Sequence, residues 1–172
     1  MPLTATGTGQ EFQPVPIGLH HAVCWMVVDL GTQHNPHYDQ YQHKVCIGWE
    51  LPNERIKVED EDKPKVISRI FTLSLSEKSL LRPFLESWRS RPFSAQELLG
   101  FDISNLLGVN CQLNVIHNEN DGKTYANVSS VVPLSPGMEK KELENPQIYY
   151  SMEDHYLKIP NGVPEWIEKI IM

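Results

Sequence analysis

Residues Ile17–Leu30, IGLHHAVCWMVVDL, alternate so that Leu19, His21, Val23, Trp25 and Val27 fall on one face of an extended chain and Ala22, Cys24, Met26 and Val28 on the other. Successive side chains of a strand point to opposite faces, so a run that is apolar on both must be covered on both. Such a strand suits the wall of a barrel whose outside is covered by another part of the same chain.

Further periodic runs follow. Asp29–Gly31 reads as a turn, and the polar, aromatic-studded stretch Thr32–His43 as a loop. Lys44–Leu51 sets Val45, Ile47, Trp49 and Leu51 against Lys44, Cys46, Gly48 and Glu50, a half-buried second strand. Pro52–Asp62, with the acidic run Glu59–Asp62, reads as a solvated connector. A third strand, Lys65–Leu75, carries Ile67, Arg69, Phe71, Leu73 and Leu75 on one side and Val66, Ser68, Ile70, Thr72 and Ser74 on the other, and either side could face inward. Leu80, Leu81, Phe84, Leu85 and Trp88 then recur at helical spacing, with the helix expected to begin near Pro83, because proline is disfavoured farther inside one. Ser94 and Glu97 form a capping box ahead of a short helix ended by Gly100, and Asp102 caps a turn closed by Gly108. Val109–His117 and Lys123–Leu134 are two more strands, joined through Asp121-Gly122, a strong hairpin signal. The order is strand, strand, strand, helical segment, strand, strand. It predicts an all-β fold with a helical insert: a five-stranded Greek-key barrel of the oligonucleotide-binding (OB) type, with helices between strands three and four. The expected division is a flexible arm at 1–16, the barrel domain at 17–134, and an extension at 135–172 whose Trp166, Ile167, Ile170 and Ile171 mark a short terminal helix.

The chain has 172 residues, 40% hydrophobic and 22% charged, enough for one domain with a real core. No apolar run approaches the roughly 18 residues of a membrane span, and the first residues lack the form of a signal peptide. Cys24, Cys46 and Cys111 are an odd set without close pairing, each in an apolar alternating run. They read as reduced, strand-buried thiols, which fits a cytoplasmic protein.

The formal net charge is −7, yet Lys63–Arg91 carries +5 by itself. Charge gathered against the overall trend is expected of a surface that meets a polyanion. Single-stranded DNA binding needs a basic groove and flat side chains on which bases stack, and an OB barrel usually presents them on strands two and three and the first and last hairpins. The candidates are Tyr38 and Tyr41 in the first loop, Lys44 and Trp49 on strand two, Lys65, Arg69 and Phe71 on strand three, and Lys123 and Tyr125 at the last hairpin. Large aromatics on alternating strands are more often core, which weighs against Trp49 and Phe71. Tyr38 and Tyr41 have little apolar sequence around them and are the strongest stacking candidates. Arg69 either reaches the groove or pairs with a carboxylate. The charges of Arg82, Arg89 and Arg91 belong instead to the helical connection, where Glu86, Glu97 or Asp102 can answer them.

Other chemistries fare worse. His34, His37, His43 and Cys46 lie close in sequence, but without a close cysteine pair or a familiar zinc spacing, so no metal and no other cofactor is expected. No phosphate loop, GxSxG or HExxH is present, and no catalytic residue is expected. The terminal Trp166–Ile171 stripe reads as docking against the chain's own barrel, with a homodimer contact or a handle for another protein as alternatives.

With VVDLGTQ at Val27–Gln33, KVCIGWELP at Lys44–Pro52, the long run Ser68–Gly108, GKTYANVSSVVPL at Gly122–Leu134 and VPEWIEKII at Val163–Ile171, the chain resembles a family of phage and prophage OB-fold single-stranded DNA-binding proteins. The resemblance spans most of the chain beyond Ile17. One departure is Ser90, where the family pattern has glycine between two arginines. The resemblance implies a non-catalytic protein of a DNA replication or recombination module, located in the cytoplasm of a bacterial host, with replication or recombination proteins as further partners. The alternatives are an OB-fold adaptor for such a protein and an acidic, DNA-mimicking inhibitor of a host protein.

Overall fold

The computed structural model describes residues 14–36, 39–152, 159 and 162–171. Most of the expected arm, residues 1–13, lies outside them, whereas Val15 is buried in the core. The fold is a mostly antiparallel β-structure. The strands β1 (Gly18–Asn35), β2 (Gln40–Val58), β3 (Glu61–Thr72), β4 (Asn110–Asn120) and β5 (Lys123–Pro133) form one sheet in the order β3-β2-β1-β4-β5. No hydrogen-bonded ladder joins β3 to β5, so the sheet is not closed.

β1 bends across the structure, pairing with β4 over Gly18–Val23 and with β2 over Val23–Asn35. A register shift falls between Cys24 and Met26, which pair with Trp49 and Gly48. The strict alternation read from the sequence breaks at this bulge. Ala22, Cys24 and Val27 face the main core, while Trp25, Met26, Val28 and Leu30 face outward.

Two stretches expected as loops are strand. Thr32–Asn35 pairs with Gln40–His43, and Arg55–Val58 pairs with Glu61–Pro64. These arms project beyond the core: Thr32–Asn35 is polar throughout, and the alternation of Ile56 and Val58 with Arg55 and Lys57 is too short to stand out from its charged surroundings. The second hairpin turns at Glu59 and Asp60, both at positive φ (52° and 67°), as a two-residue hairpin turn requires. Its acidic run is thus folded: Arg55 meets Asp62 at 3.1 Å and Glu144 at 2.7 Å. The expected Asp121-Gly122 hairpin is present, also with both residues at positive φ.

α1 (Leu81–Arg89) begins two residues before Pro83, which sits in the first turn where its missing N–H forfeits no helical bond. Leu81, Phe84, Leu85 and Trp88 are its buried face. The rings of Trp49 and Phe84 lie 5.8 Å apart, those of Trp49 and Trp88 5.8 Å, and those of Phe71 and Phe84 4.8 Å. This aromatic cluster is the centre of the core, and truncating one member to alanine would cost about 3–5 kcal/mol. Ser90 ends the helix at φ 55°, ψ 34°, the left-handed conformation for which glycine is favoured, so serine is held there against its own preference. Two short 3-10 turns follow, Glu97–Leu99 and Ile103–Leu106. The capping box precedes the first: Ser94 N donates to Glu97 Oε1 at 2.9 Å and Glu97 N to Ser94 Oγ at 3.1 Å. Ser94's amide and the Arg89 guanidinium hold the Glu97 carboxyl down to about 2. Asp102 caps the second through the Ser104 amide, as expected.

The extension covers the outside of β1 and β2. A short strand, β6 (Ile148–Tyr150), pairs in parallel with Met26–Val28, and α2 (Glu165–Ile171) lies beyond it. Ile148, Tyr150, Val163, Ile167 and Ile171 pack on Trp25, Met26, Val28, Leu30 and Cys46. This is the cover that the doubly apolar first strand demanded, and it supports the docking reading of the terminal helix. Two carboxylates pin the extension down. Glu50, fully buried on β2, accepts from Glu144 N at 2.8 Å and from Asn145 N and Nδ2 at 3.0 Å. Asp29 accepts from Met152 N at 2.9 Å and sits 2.6 Å from His43 Nε2. Burial acts to raise the Asp29 carboxyl, but the Met152 amide, the His43 ring and the Gly31 amide outweigh it and leave it below its ordinary value. The three cysteines are buried, and desolvation pushes Cys24 up to about 12 and Cys46 to about 11, leaving protonated, unreactive thiols at neutral pH. Among the described residues, no helix is long and apolar enough to cross a membrane.

Candidate nucleic-acid interface

The register settles which side of β3 is wet. Ile67, Arg69 and Phe71 lie opposite Trp49, Ile47 and Val45, so they share the inner face. Lys65 begins the same set, opposite Leu51, and is half-buried. Val66 (51% exposed), Ser68, Ile70 (43%) and Thr72 form the outer face. Two expected stacking residues therefore leave the site: Trp49 is 0% and Phe71 3% exposed, because alternation turns both into the aromatic cluster. Among the described residues Arg69 pairs with no carboxylate. It spans the seam between the sheet edges, with Nη1 donating to Val128 O at 3.2 Å and Ser129 O at 3.5 Å, and its guanidinium lies 4.7 Å from the Phe71 ring centre. Burial lowers its pKa from the ordinary arginine value.

Three adjoining cavities follow the outer face of β3. The first, about 410 Å³, lies among Val66, Ser68, Tyr125 and Trp166. The second, about 500 Å³, takes in Ser68, Ile70, Arg69, Asn127 and Trp166. The third, about 350 Å³, lies among Ile70, Thr72, Lys44 and Lys78. Ser68 and Trp166 belong to the first two and Ile70 to the last two, so they form one groove. Six residue steps from Val66 to Thr72 make it roughly 20 Å long. Among the described residues no acidic side chain lines it, in a chain of net charge −7.

The groove gathers some of the expected residues. Lys44 lies at one end, its Nζ 2.7 Å from Thr72 Oγ1, and Tyr125, 48% exposed, at the other. Tyr41 is 73% exposed on the first hairpin, its ring 4.8 Å from that of His34, one residue before Gln42 in the groove wall. Lys123 is exposed at the last hairpin, outside the groove lining. Tyr38 lies outside the described residues. So does His37, while His34 is 2.9 Å from Asp39, His43 is engaged by Asp29 and Cys46 is buried. No group of three metal-ligating side chains is gathered among the described residues.

Sequence reasoning missed two groove residues. Lys78 is exposed at the upper end, and Trp166, 47% exposed, stands where the first two cavities meet. The terminal stripe reads in the sequence as a single apolar face, but Ile167 and Ile171 are the members fully buried by docking and Ile170 is only partly so. One signal was available: Trp166 and Ile167 are adjacent, and adjacent residues of a helix cannot share its centre line. No protein-family model matches the chain, and no curated protein shows detectable similarity to it.

Proposed function

We propose that this chain is an OB-fold protein that binds single-stranded DNA without catalysis, in a phage or prophage replication or recombination module. The strand order β3-β2-β1-β4-β5 supports the fold reading, as do the helical insert between β3 and β4 and the approach of the β3 and β5 edges through Arg69. The observation that carries the function is the β3 groove. It combines exposed aromatic faces at Tyr125 and Trp166 with the cations Lys44 and Lys78, and none of its described lining residues is acidic. Phosphates track the cations while bases stack on the rings, which requires no particular sequence. Asn127 and Ser68 offer hydrogen bonds to base edges along the way.

The test is anisotropy of labelled oligo-dT against rising salt, with a duplex of the same length alongside. Affinity for the single strand should exceed that for the duplex and fall linearly on a log–log plot against salt. A Lys44→Ala/Lys78→Ala pair should flatten that slope by about one to two phosphate equivalents, and a Tyr38→Ala/Tyr41→Ala pair should weaken binding with the slope unchanged. Absence of binding in low-salt buffer would end the proposal.

A further inference from the structure

A fourth cavity, about 580 Å³, lies where the end of α1 meets the second 3-10 turn, the start of β4 and the end of β5. Among the described residues it shares no lining side chain with the β3 groove. Trp88, Phe101, Leu106 and Leu134 give it apolar walls. Arg89, Arg91 and Lys140 also line it, and among the described residues no acidic one does, against the −7 of the whole chain. Arg89 is already committed: its Nη2 meets Glu97 at 2.7 Å, and its guanidinium lies 4.6 Å from the Phe93 ring centre. Arg91 and Lys140 are exposed, and neither side chain has an ion pair among the described residues.

We infer that this cleft docks an acidic segment of a partner protein that carries one bulky apolar side chain. The apolar side chain fills the space between Trp88 and Leu134, and flanking carboxylates meet Arg91 and Lys140. The volume is in the range of sites that bury an apolar group and orient it with a few polar ones. Nucleic acid fits the cleft poorly, because its tryptophan is only 5% exposed and offers no face for stacking. The β3 groove has the opposite character, with its aromatic faces open. The two surfaces therefore suit different ligands, and both can be occupied at once.

The probe is a short fluorescein-labelled peptide with one tryptophan between glutamates, titrated by anisotropy into the full chain at low salt. Saturable binding is expected, about tenfold weaker in Arg91→Glu/Lys140→Glu, since reversing two rim charges turns attraction into repulsion. Val109→Trp, which fills the cleft from a partly exposed position, should abolish it. Both variants should bind oligo-dT as the parent does, which separates failure here from failure of the groove. The inference is overturned if the peptide does not saturate, if a version with lysines for glutamates binds equally well, if the charge reversal has no effect, or if oligo-dT displaces the peptide.

Discussion

Trp166 makes the groove directly observable. The chain has four tryptophans, of which Trp25, Trp49 and Trp88 are 9%, 0% and 5% exposed while Trp166 is 47% exposed. A base stacking in the groove would therefore quench the emission of a single indole, and Trp166→Phe should remove that quench. The choice of phenylalanine follows from the geometry. About half of the indole is covered, roughly 100 Å² of the area an aromatic side chain can bury, which contributes about 2.5 kcal/mol to holding α2 in place. Alanine would forfeit this docking along with the stacking, whereas phenylalanine keeps most of the contact area. A stacked base contributes about 1–3 kcal/mol, so Trp166→Ala should weaken oligo-dT binding by roughly 5- to 150-fold. Trp166→Phe should lose less affinity and nearly all of the quench, with an unchanged melting temperature as the control. Quenching that persists in Trp166→Phe would refute the assignment, as would tight binding by the parent chain with no quench at all.

Three further outcomes follow from the fold. Ser90→Gly should stabilise the protein by about 0.5–1 kcal/mol, because relief of the left-handed strain exceeds glycine's extra unfolded-state entropy. Thermal unfolding should rise by roughly 2–4 °C per kcal/mol. The Glu97 carboxyl is held near 2 against an ordinary 4.5, so its contribution to stability is complete above pH 4.5 and lost as pH falls towards 2. Acid titration of Glu97→Gln should accordingly show a shallower stability loss than the parent across that window, and the two curves should converge below it. Glu50→Ala strands the amides of Glu144 and Asn145 without their acceptor, at a cost of about 2–5 kcal/mol. Limited proteolysis should then cut first within 135–147.

The parts of this fold legible in the sequence are those where burial writes a period into the chain. β1, β2, β4 and β5 alternate because each has a core face, and α1 repeats Leu81, Phe84, Leu85 and Trp88 for the same reason. Turn chemistry was as readable, at Asp121-Gly122 and in the Ser94–Glu97 box. The hairpin arms beyond the core were not, because Thr32–Asn35 is polar on both sides and Arg55–Val58 offers only Ile56 and Val58 within an otherwise charged and polar stretch. β6 is three residues long, too short to carry a period, and its partner lies more than a hundred residues away. A separation of 94 residues hid Glu50, which reads locally as a solvent-facing alternate and is buried where residues 144–145 return to it. The candidate site divided along the same line. Tyr41, Lys44 and Tyr125 sit in sequence surroundings that leave them exposed, while the inward turn of Phe71 depended on a register that no single strand reveals.

The open seam also bears on how this protein behaves in a crowded solution. A sheet with two free edges displays two rows of backbone groups ready to pair with any extended chain, the usual first step of aggregation or strand exchange. Here β3 and β5 face each other, and Arg69 caps two of the β5 carbonyls while its charge stands guard over the gap. Shortening this one side chain would leave that row of acceptors open to a neighbouring molecule. Arg69 thus reduces the number of backbone acceptors that this seam offers to another chain.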